Sequence, residues 1–290
     1  MGRTLFQPMR KWLLILCTLL CGLCLRAQVN EIGITVGGSY YIGDINPLRH
    51  FPKHTGLAGG IVFRHNLNHR FAVRIQGLYG TLEAYDHDSK DTVQWLRNLH
   101  FKSELIEASG LFEINFFPYR SRKKGSKNWT PFVFGGLAYF RTNPKAYFDD
   151  EWYALQPLGT EGQGTTARPG SELYKLDQIS IPFGAGIKIN VGRVDFQLEW
   201  GMRRTYTDHI DDVSGAYVDS DLLAFENGPL AAILADRSGL DAIQGYTNAG
   251  RARGDVNTRD WYVYSGLSIT YVISRFWDCE EQYNWMRRKR

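Results

Sequence analysis

This sequence of 290 residues has little that could form a disulfide or a membrane-spanning helix. Three of its four cysteines lie in one apolar run near the amino terminus, and the fourth is Cys279. Beyond that run, no stretch approaches the ~20 consecutive apolar residues that a spanning helix requires. The 34 basic residues barely outnumber the 30 acidic ones. A domain stabilised by disulfides and a membrane protein built of spanning helices are therefore excluded.

The amino terminus has the features of a secretory signal peptide. Arg10 and Lys11 precede an apolar run over residues 12–25, and Ala27 supplies a small residue at the cleavage position. The run is short for a membrane anchor. A lipoprotein signal needs small residues before its acceptor cysteine, whereas the nearest cysteines here follow leucines. We expect residues 1–27 to be removed on export.

Removal of this segment leaves a chain with no net formal charge. The basic count falls from 34 to 30 and then equals the 30 acidic residues, because the segment holds Arg3, Arg10, Lys11 and Arg26. A neutral chain gives no support for nucleic-acid binding. Cys279 would be the one remaining cysteine, so an intramolecular disulfide is impossible.

What the sequence does have is alternation. Residues 179–191 place seven apolar side chains on one face without a polar interruption, and similar segments recur. A lipid bilayer tolerates spanning backbone only as helices or closed barrels, so repeated strands of this kind predict a transmembrane β-barrel. The eight predicted strands cover residues 31–42, 56–64, 70–82, 101–117, 131–142, 177–191, 193–206 and 260–273.

The lengths of the connections give the expected orientation. Odd-numbered connections are long, at residues 43–55, 83–100, 143–176 and 207–259. The second and sixth are short, while the fourth, residues 118–130, is a turn enlarged by basic residues. Outer-membrane barrels have long extracellular loops and short periplasmic turns. We therefore expect an all-β, eight-stranded antiparallel barrel over residues 28–276 in the Gram-negative outer membrane, with both termini periplasmic and a periplasmic tail at 277–290.

The inward faces of the predicted strands carry charges of both signs. The interior of an eight-stranded barrel is just wide enough for side chains to fill. Buried charges are tolerated when they are paired. We expect a plug of ion pairs rather than a pore, formed by Arg64, Arg74, Glu107, Glu113, Lys188, Glu199 and Arg203.

The last long connection is expected to contain short helices. Apolar residues after Asp219 have near-helical spacing, and Pro229 is able to start a second helix. A loop-packing role is favoured over a partner-binding helix.

Few residues suggest chemistry. The seven histidines are scattered without a zinc motif, and there is no serine nucleophile elbow or phosphate-binding glycine loop. His209 with Asp208, Asp211 and Asp212 is the one cluster that could act as a catalytic site, and its three carboxylates could instead hold calcium. Anchoring of loops by polar contacts is the third reading. No cofactor or small-molecule substrate is identified.

Two segments resemble a known family. Residues 37–47 include Tyr40, Tyr41, Gly43, Asp44, Asn46 and Pro47, and residues 204–214 include Asp208, Asp211 and Asp212. Both segments resemble the PorG family, outer-membrane barrels of the type IX secretion and gliding machinery. The resemblance implies a non-enzymatic assembly component that associates with a periplasmic ring of PorK and PorN type.

These motif residues also have a structural interpretation at the rim of the barrel. Tyr40, Tyr41 and Tyr206 suit an aromatic girdle in which each ring is buried and its hydroxyl is wet. The motif carboxylates and Asn46 can bond loop backbone amides, and Pro47 stiffens the exit from the first strand.

Three classes of function remain open: a secretion-machinery component, a structural or adhesin-like small barrel, and an outer-membrane enzyme with a rim active site. Basic segments expected in the periplasm separate the first two, because a free-standing barrel has no obvious use for them. The expected contacts with ring proteins are Arg120, Arg122, Lys123, Lys124, Arg287 and Arg288.

Overall fold

The computed structural model of this chain describes residues 29–47, 49–119, 127–240, 243 and 246–273. Its strands are β1 Val29–Ile42, β2 Gly56–Asn66, β3 Phe71–Tyr85, β4 His100–Asn115, β5 Trp129–Thr142, β6 Lys145–Phe148, β7 Glu151–Ala154, β8 Asp177–Val191, β9 Val194–Thr205 and β10 Trp261–Val272. Its helices are α1 Thr92–Arg97, α2 Ser220–Asn227 and α3 Pro229–Ala235. No helix among these residues is long and apolar enough to cross a membrane.

Eight of the strands form a closed antiparallel barrel. The hydrogen-bonded order is β3-β2-β1-β10-β9-β8-β5-β4, and pairing of β3 with β4 closes the sheet. The first and last strands meet in continuous register from Glu31 opposite Val272 to Ile42 opposite Trp261. Closure leaves no barrel strand with an unpaired edge, as backbone within a bilayer requires. The predicted fold class is confirmed.

The connections differ strongly in length at the two ends of the barrel. At one end, here called the turn end, β8 and β9 are joined through Gly192, whose φ of 67° suits glycine. The opposite end, here called the loop end, carries the connections around residues 43–55, 86–99, 143–176 and 206–260. The sixth connection is the tight turn that the sequence predicts, and the four long connections share one end.

The outer wall is apolar over most of its height. Side chains that alternate outward are exposed along every strand, for example Ile34 at 62% and Ile75 at 61%. Aromatic residues lie toward both ends, with Trp129 and Tyr271 near the turn end and Tyr139 and Tyr206 near the loop end. This distribution matches the apolar band and aromatic girdles of a barrel in a bilayer.

The loop end is closed by a folded cap. We use "cap" for the four long connections, including α1, α2, α3 and the β6–β7 hairpin. Apolar side chains from each connection meet inward residues of the barrel in one buried cluster, for example Ile45, Leu99, Leu155 and Ile210. The predicted helices in the last connection are present, and Pro229 opens α3 as expected. The hairpin and α1 lie in segments that the sequence analysis treats as plain loops.

Candidate functional site in the lumen and under the cap

The lumen is filled by an ion-pair network centred on Glu113. Its carboxylate lies 2.9 Å from Nε of Arg64, 3.0 Å from Nε of Arg74 and 2.5 Å from Nζ of Lys188. Arg64 also pairs with Glu31 at 2.7 Å, and Arg74 pairs with Glu199. These side chains are almost inaccessible to solvent. Strand alternation explains the arrangement, because every second residue points inward.

A second group of charges lies nearer the cap. Arg203 pairs with Glu107 at 3.1 Å, and the hydroxyl of Tyr262 donates to the same carboxylate at 2.9 Å. The two groups together contain four cations and four carboxylates in ion pairs. The predicted charged plug is therefore present with all seven of its residues, and Glu31 is the member that sequence reasoning missed.

Aromatic rings complete the filling of the lumen. Nζ of Lys188 lies 4.4 Å from the centre of the Phe132 ring, and the guanidinium of Arg74 lies 5.0 Å from that of Phe134. Inward glycines make room for these rings, since a Cβ at Gly201 would lie 2.6 Å from Phe134. The described residues thus form a packed interior, as expected for a barrel of eight strands.

Under the cap, two carboxyls share one tyrosine hydroxyl. The oxygen of Tyr41 lies 2.6 Å from Oδ2 of Asp211 and 2.8 Å from Oδ1 of Asp260. The other oxygen of each carboxyl accepts a backbone amide, from Val213 at 2.9 Å and Ile210 at 2.8 Å. A phenol has one hydrogen to donate. It donates to one carboxyl and accepts from the other when that group is protonated.

The surroundings favour such a shared proton. Burial raises the pKa of Asp211 and Asp260 well above the usual range, and the nearby carboxylates, including Asp44, raise both further. Gly43 lies directly against this group, because a Cβ there would be 2.0 Å from the Tyr41 hydroxyl and 2.1 Å from Oδ1 of Asp260. The motif glycine is thus required by close packing beside the carboxyls.

Arg253 links the fourth long connection to the third. It pairs with Glu161 at 3.2 Å and with Asp212 at 3.6 Å, and it donates to the Ala235 carbonyl at 3.0 Å. Asp212 also accepts from Tyr174 at 2.7 Å and from Thr160. Its backbone has a φ of 66°, a conformation that aspartate tolerates better than most residues.

The surroundings shift the pKa values of Asp212 and Glu161 in opposite directions. Burial raises the pKa of Asp212 to about 6 despite Arg253. For Glu161, burial is outweighed by Arg253 and by the amides of Ser214 and Gly215, so its pKa is lower than usual. Burial also raises the pKa of Asp208 to about 7. The cap therefore holds several acids whose pKa values lie above the ordinary range of aspartate.

A third contact joins the first two long connections. Arg97 at the end of α1 pairs with both oxygens of Asp86 at 2.6 and 2.7 Å, and donates to the Asp44 carbonyl at 3.0 Å. It also donates to the Arg253 carbonyl at 2.6 Å. The cap is one hydrogen-bonded unit that spans all four connections, and no sequence motif signals Arg97, Glu161 or Arg253 as its members.

The motif tyrosines differ from the sequence expectation in one respect. Tyr40 and Tyr41 are both 0% exposed, whereas Tyr206 is 58% exposed as a girdle residue should be. Tyr41 points into the barrel. Tyr40 points outward, but His50 and Phe51 of the first long connection pack over its ring, and its hydroxyl contacts His50 at 3.1 Å and Trp200 at 3.2 Å. Wet hydroxyls at these two positions were therefore a wrong expectation.

The other motif residues take anchoring positions. Asp44 accepts the Asp255 amide at 3.1 Å, in line with the expected bonding of loop amides. Asn46 instead donates to the Tyr41 carbonyl at 2.7 Å, so it bonds a carbonyl rather than an amide. Pro47 lines a cavity between the first two long connections. Anchoring of loops is what these contacts do chemically.

The three carboxylates considered as a calcium site do not lie together. Asp211 bonds Tyr41, whereas Asp212 bonds Thr160 and Tyr174. Within the described ranges, no three His, Cys, Asp or Glu side chains converge as a metal site requires. Asp208, Asp211 and Asp212 therefore do not form one ligand set.

Among the described residues of the cap, one histidine–carboxylate ion pair lies in a small cavity. Nε2 of His54 lies 3.0 Å from Asp88 in a cavity of about 120 Å³. Ser89 lines the same cavity but contacts Oε1 of Gln94 at 2.5 Å. A drug-sized ligand needs roughly 300 Å³ or more. In the expected rim cluster, the imidazole of His209 stacks on the ring of Tyr174, with the ring centres 4.6 Å apart.

The residues expected to contact the ring proteins lie outside the described residues, as do the expected signal peptide and tail. They are Arg120, Arg122, Lys123, Lys124, Arg287 and Arg288. The flanks of the enlarged turn are described. Lys127 lies 4.1 Å from the ring centre of Phe117, and the amide of Tyr119 donates to the His69 carbonyl at 2.9 Å. The described flanks of the fourth connection therefore contact each other and the second connection.

Sequence comparison places the chain in a family. The family model described as domain of unknown function (DUF6089) matches residues 10–231. The chain belongs to the DUF6089 family. The matched span of this DUF6089 protein ends within α3, before the strand that closes the barrel. Among curated proteins no sequence relative is found.

Solved structures similar to the DUF6089 protein include three small barrels. Ail, the attachment invasion locus protein of Yersinia pestis, has 8% identity and a TM-score of 0.39, with 86% of this chain and 100% of that chain covered. Neisserial surface protein A has 9% identity and a TM-score of 0.38, covering 83% and 96%. The N-terminal barrel domain of Pseudomonas aeruginosa OprF has 11% identity and a TM-score of 0.30, covering 85% and 98%.

Proposed function

We propose that this protein is a non-enzymatic outer-membrane barrel that anchors a protein assembly, and that the assembly is the type IX secretion machinery with its periplasmic PorK/PorN-type ring. The observation that carries the proposal is the closed interior. Ion pairs fill the lumen around Glu113, and the cap covers the loop end. A barrel whose described interior is filled by side chains contributes its position in the membrane and its end surfaces.

Membrane location is the first step. The apolar outer wall and its two aromatic girdles fit a bilayer and would be unfavourable in water. We expect the protein in the outer-membrane fraction, with gel migration that changes on heating because a folded barrel resists detergent. Recovery in the soluble periplasmic fraction would contradict this step.

Association with the secretion machinery is the second step, and it rests on the motif resemblance at residues 37–47 and 204–214. In the proposed orientation the turn end faces the periplasm, so ring proteins would meet the basic fourth connection and the carboxyl-terminal tail. Interactions of this kind are sensitive to salt. We expect substitution of Arg120, Arg122, Lys123 and Lys124 by glutamine to weaken co-purification with ring proteins most strongly at low salt, because high salt already screens the wild-type contact.

The matched control replaces four exposed basic residues of the cap by glutamine: Lys53, Lys90, Lys175 and Arg251. It changes the net charge equally but at the other end of the barrel. Equal loss of co-purification in both variants would contradict the placement of the interface. Normal export of type IX cargo in a deletion strain would contradict the machinery proposal itself.

A structural or adhesin-like barrel is the second candidate, and the surface of the cap favours it. Phe225 is 88% exposed, Val93 75% and Trp95 49%, which leaves apolar side chains on a folded outer surface. Such side chains suit contact with a partner. Loss of attachment to surfaces or cells in a deletion strain that still exports cargo would favour this candidate.

A further inference from the structure

The outward cations near the loop end fall into two kinds. Three have a carboxylate of their own: Lys102 with Glu83 at 2.9 Å, Arg141 with Asp177 at 3.6 Å and Lys145 with Glu104 at 3.7 Å. Arg204 and Arg259 are exposed, and neither makes a hydrogen bond or ion pair within the described part of the chain. The charge of Arg259 acts on the buried carboxylate of Asp208 without such a direct contact. One sector of the outer wall thus carries two arginines that have no carboxylate in direct contact.

Strand pairing places this charge directly against apolar residues. Arg204 points outward from β9 between Ile181 of β8 and Trp261 of β10, which are its partners in the two ladders. Both neighbours across the strands are apolar, so Arg204 is the charged residue in this row. A lone arginine at the boundary of an apolar wall keeps its head in the polar layer while its stem covers apolar surface.

Two aromatic rings lie next to Arg204, on the side nearer the middle of the barrel wall. The rings of Phe183 and Trp261 meet edge to face with their centres 6.0 Å apart, across Met202 of the intervening strand. Phe183 is 41% exposed, so this shelf faces the surroundings of the barrel. It offers a surface for acyl chains immediately below the guanidinium.

Arg259 extends the same sector toward the cap. It precedes Trp261 by two residues, and the amide of Asp260 donates to the Thr207 carbonyl at 3.0 Å, so the pairing of the two chain segments continues past the end of β10. Asp260 points inward to Tyr41. If the alternation of β10 continues by one residue, the exposed side chain of Arg259 is expected on the outer side, with Tyr206 and Arg204 on the neighbouring segment.

We infer that Arg204 and Arg259, above the Phe183–Trp261 shelf, bind the phosphate group of an anionic membrane lipid in the leaflet at the loop end. The inference rests on the proposed membrane location. Guanidinium groups bind phosphate through charge-assisted and bidentate hydrogen bonds. The three compensated cations do not compete, because each already has a carboxylate partner.

The test uses the full-length protein purified in detergent, with diphosphoryl lipid A as the probe and phosphatidylcholine as the neutral comparator. Bound lipid is counted by native mass spectrometry. We expect Arg204→Gln with Arg259→Gln to weaken lipid A retention by about tenfold or more, because both charged contacts with the phosphate are lost. Arg204→Gln alone should lie between the double variant and the wild type.

Arg141→Gln is the matched control, since it removes an outward arginine that has its own carboxylate. It should change lipid A retention by less than about twofold, well short of the tenfold that corresponds to 1.4 kcal/mol. Unchanged retention in the double variant, or equal retention of phosphatidylcholine and lipid A by the wild type, would overturn the inference. Full displacement of lipid A by millimolar inorganic phosphate would show a free-anion site and would also overturn it.

Failure of the proposed membrane location and failure of the lipid site would give different results. A wild-type protein that is absent from the membrane fraction refutes the membrane location on which the inference rests. A barrel that inserts and shows heat-modifiable migration, but retains lipid A regardless of Arg204 and Arg259, refutes the lipid site alone. Both arginines are exposed, so their substitution by glutamine is expected to leave folding intact.

Discussion

Substitution of Glu113 by glutamine is the most direct test of the closed lumen. Three cations surround this carboxylate, at 2.9 Å for Arg64, 3.0 Å for Arg74 and 2.5 Å for Lys188. Glutamine keeps the shape of the side chain and removes the charge. Three cations would then lose the carboxylate that they share, with no solvent in contact to replace it.

The expected magnitude follows from burial. Breaking a buried ion pair by removing one partner costs about 3–5 kcal/mol, because the remaining charge is left uncompensated. Arg64 and Arg74 retain Glu31 and Glu199 as partners, so the loss falls mainly on Lys188. We expect a destabilisation of about 3 kcal/mol or more, a large share of the ~5–15 kcal/mol by which proteins are usually stable.

Glu104→Gln on the same strand is the matched control. Glu104 points outward, is more than half exposed, and lies 3.7 Å from Lys145. An exposed pair of this kind contributes about 0–1 kcal/mol. A second variant, Glu113→Gln with Lys188→Met, restores the charge balance and should recover a large part of the lost stability.

The assay is urea unfolding of the barrel refolded into detergent micelles or liposomes, followed by the heat-modifiable band on gels. The expected order of stability is Glu104→Gln close to wild type, then the double variant, then Glu113→Gln. Equal midpoints for Glu113→Gln and Glu104→Gln would refute the reasoning, because they would mean that water reaches the Glu113 carboxylate. Failure of the double variant to improve on Glu113→Gln would refute the assignment of the loss to Lys188.

Three further predictions concern the cap. Gly43→Val should disorder it without preventing barrel assembly, since a Cβ there meets the Tyr41 hydroxyl at 2.0 Å; proteolysis within the long connections would detect this, and unchanged protection would contradict it. Arg97→Met leaves Asp86 buried without its bidentate partner, and cleavage near α1 should rise in limited proteolysis while the barrel core stays resistant. Burial raises the pKa of Asp208 to about 7 and of Asp212 to about 6, above the ~3.9 of a free aspartate, so the folded cap binds protons more tightly than the opened one. Its stability should therefore fall as pH rises from about 4 through 7, seen as faster intrinsic-rate-corrected amide exchange of the loops at pH 8 than at pH 5; equal or slower exchange at pH 8 would count against it.

The barrel could be predicted from the sequence because its signal is local. Strand residues alternate with a period of two, and a membrane barrel requires that alternation to be apolar on one face of every strand. The segment at residues 179–191 fixes the inward position of Lys188 by this rule alone. The same alternation places Arg74 and Glu113 on the inner face, where the interior of an eight-stranded barrel is just wide enough for side chains to fill.

The cap could not be predicted in this way, because its contacts join residues far apart in the chain with no period to reveal them. Arg253 meets Glu161 across 92 residues, and Tyr41 meets Asp260 across 219. Tyr40 illustrates the limit: alternation correctly places it on the outer wall, but only the fold of the first long connection buries it under His50 and Phe51. The sequence determined the closed barrel and its charged interior, since both follow from backbone periodicity and the bilayer. The tertiary structure decided which loop carboxyls meet, because that depends on how four aperiodic segments pack together over one opening.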